Sequence, residues 1–271
     1  MKTAPIVFFL VLMSSVLMAQ QWTLVSDLPI RGLERVSLDN RGQIFYTIGD
    51  GSIYQLSPIG VPINHYSPPR QAGITQLEAG WTVTVFTFSK DLQRYEMFDR
   101  FLNPLMSRDM DRLEVGLARA ATLGNNNTLW VFDESDFSLK KIDYKRQALL
   151  QNQPLNLVIN DQDWKVTDMR EVQNMVFLRV PENIYIFDNQ GNYLKSISVP
   201  GQGPLSISGG SIYWINSGKL VEYQMNRGVI TSELALPSSV NGHYVKVHGK
   251  HVLFHNERQI LIYLNPVITA G

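Results

Sequence analysis

The sequence predicts an all-β protein, a six-bladed β-propeller closed by a strand near the N-terminus. Three observations predict it. Apolar and polar residues alternate along most of the chain, turns containing Asn, Asp and Gly interrupt the alternation, and the combined pattern recurs about every 40 residues. The 271 residues are 44% apolar, which is enough to bury a substantial core.

Six segments share a strand-turn-strand pattern with a strongly apolar second strand. The first segment, LERVSLDNRGQIFYTIGDGSIYQLSPIGVPINHYSPP at 33–69, has three glycine-containing turns between short alternating runs. Each of the six segments has one landmark residue in its second strand: Phe45, Val85, Trp130, Phe177, Tyr213 and Leu253. Their separations suit four-stranded repeats and therefore predict six blades.

The sixth segment is one strand short, because the chain stops soon after the apolar run at 259–264. A spare strand, QWTLVSDLP at 21–29, precedes the first segment. We expect it to complete the last blade, which would join the ends of the ring and remove an open edge. A β-sandwich is the alternative, since regularly spaced short strands also suit that class, but the four-strand period and the spare strand favour the ring.

The first 19 residues predict a secretory signal peptide. Lys2 provides a basic start, 6–18 is an apolar run too short to favour a membrane span, and small Ala19 ends it. Cleavage there would leave 20–271 as a single propeller domain without a direct membrane span; an uncleaved anchor is the alternative. We expect residence in the periplasm or on the periplasmic face of the outer membrane.

Composition excludes several classes of function. Lys and Arg together equal Asp and Glu at 24 each, so there is no field of one sign to attract nucleic acid. The chain contains no cysteine, which excludes disulfides, thiol catalysis and cysteine-ligated zinc. Export without cysteine suggests a bacterial envelope.

Two stretches carry a resemblance to known families. SLDNRGQIFYTIGDGSIYQLSPIG and IYIFDNQGNYLKSI resemble the repeat of NHL-type and TolB-like six-bladed propellers. VTVFTFSKDLQRYEMFDRFLNPL, followed by TLWVFDESDFSLKKIDY, is similar to exported propellers of Bacteroidota envelopes, which include the periplasmic plug and other accessory subunits of the type 9 secretion translocon. The resemblance implies a non-enzymatic protein-binding scaffold in an outer-membrane secretion or assembly complex, with a protein partner there.

Metal ligation and catalysis find little support in the sequence. His248 and His251 flank a two-residue turn that would bring their side chains together, but a third ligand is not evident. Glu34 begins the first inner strand and resembles the place of a metal-binding glutamate in propeller lactonases, whose further ligands have no counterparts here. We therefore expect no metal, cofactor or catalytic residue. A metal-dependent lactonase-like hydrolase and a carbohydrate-binding propeller with exposed aromatic platforms are the alternative functions.

Two connections, 101–116 and 151–165, are longer than hairpin turns. The first places apolar residues among charged ones, as a protein-docking loop requires, although the same residues would also suit packing against the ring. A short helical turn is expected within 105–121. Trp164 follows a polar loop in the second connection and is a further candidate for contact. The predicted partner-binding residues are Phe101, Leu105, Met106, Met110 and Trp164.

Overall fold

The computed structural model describes residues 22–81, 83–159, 165–201 and 203–266. Within them, 24 strands form six four-stranded antiparallel sheets arranged as the blades of a ring, with one short 3₁₀ turn at Met110–Arg112. The predicted six-bladed propeller is confirmed, and the sandwich alternative is wrong. The predicted signal peptide and Trp164 lie outside the described residues.

With the exception of the first strand of the chain, the strands of each blade follow one another in chain order from the centre of the ring outwards. The first three blades contain β2 (Leu33–Leu38), β3 (Ile44–Ile48), β4 (Ile53–Leu56) and β5 (Pro62–Tyr66); β6 (Gln76–Glu78), β7 (Thr84–Ser89), β8 (Arg94–Asp99) and β9 (Pro104–Asp109); and β10 (Ala118–Gly124), β11 (Thr128–Asp133), β12 (Ser138–Asp143) and β13 (Ala148–Pro154).

The last three blades repeat this arrangement, and β1 (Thr23–Pro29) is the outermost strand of blade 6. They contain β14 (Asp168–Val172), β15 (Met175–Arg179), β16 (Asn183–Phe187) and β17 (Tyr193–Ser198); β18 (Ile207–Ser208), β19 (Ser211–Asn216), β20 (Lys219–Gln224) and β21 (Val229–Ala235); and β22 (Tyr244–His248), β23 (His251–Asn256) and β24 (Gln259–Leu264).

The innermost strands β2, β6, β10, β14, β18 and β22 surround a central channel and all run towards the same face of the ring. We call the face where they end the end face and the opposite one the start face. Turns within each blade that follow the first and third strands lie on the end face. Crossovers from one blade to the next lie on the start face.

All six landmark residues lie in the second strand of a blade, as predicted. A second strand has a strand on each side and a neighbouring blade on each surface, so it is apolar along its whole length instead of alternating. β11 shows this most fully, because all six of its residues are buried.

The core consists of apolar clusters between adjacent blades, and the described residues supply one at each of the six interfaces. Trp130 and Phe132 pack between blades 3 and 4, while Phe86 and Phe88 pack between blades 2 and 3. Fully burying a side chain of this kind contributes about 1.5–3 kcal/mol. The interfaces, and not any single sheet, therefore hold the ring together.

The predicted closure is confirmed. β1 pairs antiparallel with β24, from Thr23 opposite Leu264 to Pro29 opposite Gln259. Trp22 fixes the start of β1, because its Nε1 donates to the carbonyl of Ala235 at 2.7 Å and its ring meets Phe254 edge-on with centroids 5.5 Å apart. The last blade is therefore built from both ends of the described chain.

The crossover from blade 2 to blade 3 is held by a buried carboxylate. Asp133 ends β11 and accepts hydrogen bonds from the backbone N–H groups of Gly116 and Leu117, at 2.7 and 3.0 Å. Lys140 Nζ on β12 lies 2.7 Å from the same carboxylate. Despite burial, which acts the other way, hydrogen bonds from Lys140, Ser135 and the backbone hold the pKa of Asp133 well below its usual range.

The structure corrects the prediction of a docking loop at 101–116. The middle of that segment is the outermost strand β9, followed by the 3₁₀ turn that was expected as a short helical turn. Met110 is 1% exposed in the core between blades 2 and 3, and Met106 packs against the same core. Met110 is therefore wrong as a partner-binding candidate, because the 3₁₀ turn places its side chain in the core. Met106 is half-buried, and its role as a partner-binding residue stays a prediction.

The second long connection is shorter than expected, because β13 continues to Pro154. Among the described residues, no helix has the length and apolar character needed to cross a membrane.

Candidate binding sites on the end face

Charged and polar residues at alternate positions of the innermost strands line the channel. Gln76 and Glu78 lie on β6, Asp168 and Arg170 on β14, and Lys246 on β22. Because side chains on a strand alternate between its two faces, residues two apart share the channel side. Three blades thus contribute ionisable groups to one enclosed region.

Asp168 organises the middle of the channel. Its Oδ1 accepts a hydrogen bond from Gln76 Nε2 at 2.5 Å, and its Oδ2 accepts one from the backbone N–H of Leu205 at 2.7 Å. Gln76 Nε2 also donates to the carbonyl of Met169. These two acceptors fix the orientation of the amide, and its Oε1 has no hydrogen-bond partner among the described residues.

Glu78 lies between the channel and the end face and is 4% exposed. Its Oε2 accepts a hydrogen bond from Trp81 Nε1 at 3.2 Å. Its Oε1 accepts no hydrogen bond within the described part of the chain, although Arg170 Nη1 lies 3.3 Å away. Burial raises the pKa of Glu78 to about 7, against the lowering effects of Arg170, Thr122 and Trp81.

Lys246 is also buried, and its Nζ donates to the carbonyl of Leu205. Burial, with the nearby cation Arg170, lowers the pKa of Lys246 to about 7. Two acids, Glu78 and Asp168, thus face two bases, Arg170 and Lys246. The floor of the channel mouth carries little net charge.

This floor belongs to a pocket of about 370 Å³ that opens on the end face. Trp81 forms part of one wall and also lines a narrow cleft together with Arg41 and Arg100. Polar groups on the remaining walls include Ser37, Asp39, Asn125, Glu171, Ser206, Ser208 and His248. Such a volume lies within the range of small-molecule sites, in which a few polar groups fix the orientation of the ligand.

On the start face the channel opens into a second recess of about 540 Å³, where Glu34 lies. Glu34 Oε2 accepts a hydrogen bond from the backbone N–H of Ile74 at 3.1 Å, so this carboxylate joins blade 1 to blade 2. Within the described ranges, no three His, Cys, Asp or Glu residues converge as metal ligands would. The structure thus places Glu34 in a contact between blades.

The two candidate histidines are paired as predicted, since His248 on β22 lies opposite His251 on β23. His248 also lines the end-face pocket, and its ring packs against the turn at Gly42. In the part of the chain that the structure describes, no third ligand joins the pair.

A second surface on the end face lies at one corner of blade 2. We call Val83, Arg100, Phe101 and Leu105 the blade-2 corner. Val83 is 67%, Phe101 56% and Leu105 62% exposed, so three large apolar side chains face solvent. Arg100 lies over the Phe101 ring, with Cζ 4.9 Å from the centroid. Two of the predicted partner-binding residues, Phe101 and Leu105, are therefore available for contact.

Sequence reasoning missed the channel residues Glu78, Arg170 and Lys246. Their signal was present: QLEAG, TDMREV and YVKVH place charged residues at alternate positions in the first strand of a blade, where an apolar core residue would otherwise be expected. Trp81 packs against the core between blades 2 and 3 and also forms part of a wall of the pocket.

Comparison with known proteins yields no matching family model and no matching curated protein. Solved structures do match. The WD40 domain of Neurospora crassa Pan2 is 10% identical with a TM-score of 0.63, covering 92% of this chain and 96% of that one. Virginiamycin B lyase from Staphylococcus aureus, as the catalytically inactive H270A form with quinupristin, is 12% identical with a TM-score of 0.57, covering 86% of this chain and 80% of that one. At these identities the likeness shows a β-propeller fold, shared with WD40 and lyase propellers, and nothing finer.

Proposed function

We propose that this protein is a non-enzymatic, protein-binding propeller that engages its partner through the blade-2 corner. The observation that carries the proposal is the exposure of Val83, Phe101 and Leu105 at one corner of a rigid blade. Interfaces are anchored by a few large apolar or aromatic side chains within a polar rim, and this corner has that composition.

Two features indicate the chemistry of the partner. Arg41 and Arg100 line the narrow cleft beside the corner. The neighbouring acid Asp99 already accepts hydrogen bonds within its own turn, from the N–H groups of Phe101 and Asn103 at 2.8 and 2.9 Å. The corner is therefore apolar with a basic rim, which suits a partner segment that carries both acidic and apolar side chains.

The backbone offers a second means of attachment. β9 is the outermost strand of its sheet, so one edge of it has no neighbouring strand within the blade. An extended partner segment can add to such an edge through main-chain hydrogen bonds, while side-chain pockets supply specificity. We therefore take the occupant to be an extended, acidic and apolar segment of another protein.

The setting that we propose is the bacterial cell envelope, in an accessory part of an outer-membrane secretion or assembly complex such as the type 9 translocon. It rests on the predicted signal peptide and on the repeat resemblance. The blade-2 corner supports a partner but does not identify it.

The test compares tagged wild-type protein with a Phe101→Ser/Leu105→Ser double variant after mild detergent extraction from the native envelope. A companion recovered in near-equal amount with wild type should fall at least about tenfold in the double variant, since hot-spot truncations typically cost 2 kcal/mol or more. Arg100→Glu should weaken recovery in the same direction because it reverses a rim charge.

The matched control is Leu150→Ser/Leu194→Ser, which removes two comparably exposed leucines from the outer strands of blades 3 and 4. It should leave recovery unchanged. Equal recovery with wild type and the blade-2 variant, or the absence of any stoichiometric companion, would overturn the proposal.

A further inference from the structure

The floor of the end-face pocket includes a buried carboxylate, Glu78, whose Oε1 accepts no hydrogen bond from the described residues. This oxygen is in ion-pair contact with Arg170 Nη1 at 3.3 Å. Gln76 Oε1, in the channel, also accepts no hydrogen bond from the described residues. Buried polar atoms without a hydrogen-bond partner are rare, because each one costs free energy. We therefore expect a ligand to donate a hydrogen bond here.

The charges of the floor limit what that donor can be. Arg170 lies 3.3 Å from Glu78 and 3.7 Å from Asp168, and Lys246 is bonded to a backbone carbonyl beside them. Two acids therefore face two bases at the floor.

Two further acids line the pocket, Asp39 and Glu171, and both already accept hydrogen bonds: Asp39 from the backbone N–H groups of Arg41 and Gln43, and Glu171 from Asn125. An added full charge of either sign would therefore lack a free counter-charge. A neutral molecule with several hydroxyl groups can donate hydrogen bonds to these acceptors without the cost of burying an unpaired charge.

The walls of the pocket fit the same molecule. Ser37, Ser206 and Ser208 offer hydroxyl groups that both donate and accept, and Asn125 lies on the opposite wall. Ser37 Oγ already accepts from the backbone N–H of Ala79 at 3.0 Å, which leaves its own proton free to donate outwards. Side chains that can both donate and accept hydrogen bonds suit a ligand with hydroxyl groups on neighbouring carbon atoms of a ring.

Trp81 adds a flat apolar surface that is held in place. Its Nε1–H donates a hydrogen bond to Glu78 Oε2, so the carboxylate of Glu78 also fixes the indole. An aromatic face beside convergent polar groups suits a molecule with one apolar side and a rim of hydroxyls. A sugar ring has that form.

We propose that this pocket binds a neutral sugar or polyol, with a hydroxyl group donating to Glu78 Oε1 and the ring lying against Trp81. The site is separate from the blade-2 corner and does not depend on a protein partner binding there. The ligand is either a free monosaccharide or one unit of a glycan that extends out of the pocket.

Saturation-transfer NMR with the intact protein tests this directly. The probes are glucose, N-acetylglucosamine, mannose, galactose and myo-inositol as neutral compounds, with glucosamine and glucuronate as charged ones. At least one neutral probe should bind with a dissociation constant below about 10 mM, a range suited to a small ligand with few contacts. Oligosaccharides of that probe then separate the two sources: tighter binding with chain length indicates a glycan, and equal binding a free sugar.

Variants locate the site. Trp81→Ala and Glu78→Gln should each weaken binding at least about tenfold, as expected when a ring contact or a buried hydrogen bond is lost. Trp81→Phe keeps a ring and should retain part of the affinity, which guards against loss of folding in the alanine variant. Tyr193→Ala, which removes a partly exposed ring from the outer strand of blade 4, is the matched control and should bind as wild type.

The proposal is overturned if no neutral probe binds, if only a charged probe binds, or if binding is unaffected by Trp81→Ala and Glu78→Gln. Loss of the protein companion in Phe101→Ser/Leu105→Ser with sugar binding intact would support both proposals independently.

Discussion

Glu78 and Lys246 are enclosed ionisable groups whose pKa values are both moved towards neutrality. Burial raises the pKa of the Glu78 carboxyl from 4.5 to about 7 and lowers that of the Lys246 amine from 10.5 to about 7. In each case the shift favours the uncharged form, because a low-dielectric environment solvates an ion poorly. The charge inside the channel mouth therefore changes most easily near neutral pH.

The first prediction concerns Glu78→Gln. A carboxyl whose folded pKa lies above its unfolded value destabilises the fold wherever the unfolded chain is already ionised. The contribution of Glu78 to the free energy of unfolding thus declines as pH rises from about 4.5 to about 7 and is constant above that range. Glutamine cannot ionise, so the variant should gain stability relative to wild type across this interval.

Urea unfolding measured across that pH interval checks the prediction. Glu257→Gln, which changes an exposed acid on the start face, is the control and should follow the wild-type curve. A Glu78→Gln curve parallel to wild type throughout would contradict the assignment.

At the scale of elements, a single carboxylate connects two strands and a crossover. Asp133 at the end of β11 bonds the backbone at Gly116 and Leu117 and pairs with Lys140 on β12. Gly116 lies close to Ser135, where an added Cβ would come 2.2 Å from the hydroxyl oxygen. The crossover therefore has little freedom, and its backbone donors depend on one acceptor group.

The second prediction is that Asp133→Asn destabilises the protein by about 3 kcal/mol or more, because it leaves Lys140 enclosed with a weaker partner and removes an acceptor oxygen. The stabilisation by Asp133 is fully present above the ordinary pKa of an aspartate and is lost as pH falls below it, since its folded pKa is depressed. Chemical denaturation at neutral and acidic pH measures both effects.

Glu233→Gln provides the comparison, because Glu233 pairs with Lys219 at 2.8 Å on the exposed outer part of blade 5. Its cost should be within about 1 kcal/mol, as for other solvent-exposed ion pairs. Similar losses for the two variants would show that Asp133 does not hold the crossover.

At the scale of the whole molecule, the ring depends on one joint between the two ends of the described chain. β1 completes blade 6, and Trp22 extends that joint to blade 5 through its bond to Ala235. Its ring also meets Phe254 and Tyr263 edge-on, with centroids 5.5 and 5.9 Å away. One partly buried side chain thus joins three strands of two blades.

The third prediction is that Trp22→Ala destabilises the protein by about 2–4 kcal/mol, somewhat less than full burial of the ring would give. For a protein of this size that corresponds to a fall in Tm of roughly 5–15 °C. Trp22→Phe keeps the ring contacts and loses the hydrogen bond, so its cost should be about 1 kcal/mol. A Tm of the alanine variant equal to that of wild type would mean that β1 alone closes the ring.

Much of the architecture could be predicted from the sequence because propeller repeats place their most apolar strand at a fixed point in each unit. Phe45, Trp130 and Phe177 mark that point even though the rest of the repeat is degenerate. The closing strand was also predictable, since a blade with three strands needs a fourth.

The sites were less predictable for a physical reason. Whether Met106 packs against the core and Leu105 faces solvent depends on the register of β9, including a bulge between its pairings with Met97 and Phe98. Likewise, the convergence of Glu78 with Arg170 joins residues from different blades. A single sequence does not show which residues of different blades lie close together.

Ring closure has a consequence for the order of folding. Trp22 and Ala235 are 213 positions apart, and the pairing partner of β1 comes still later. During synthesis the first strand must therefore wait unpaired, with its edge open to wrong partners, until the final strand has emerged. Closure thereby acts as a check on completeness: a chain that ends before β24 leaves β1 without its neighbour, and such a product remains a target for proteases and chaperones instead of maturing.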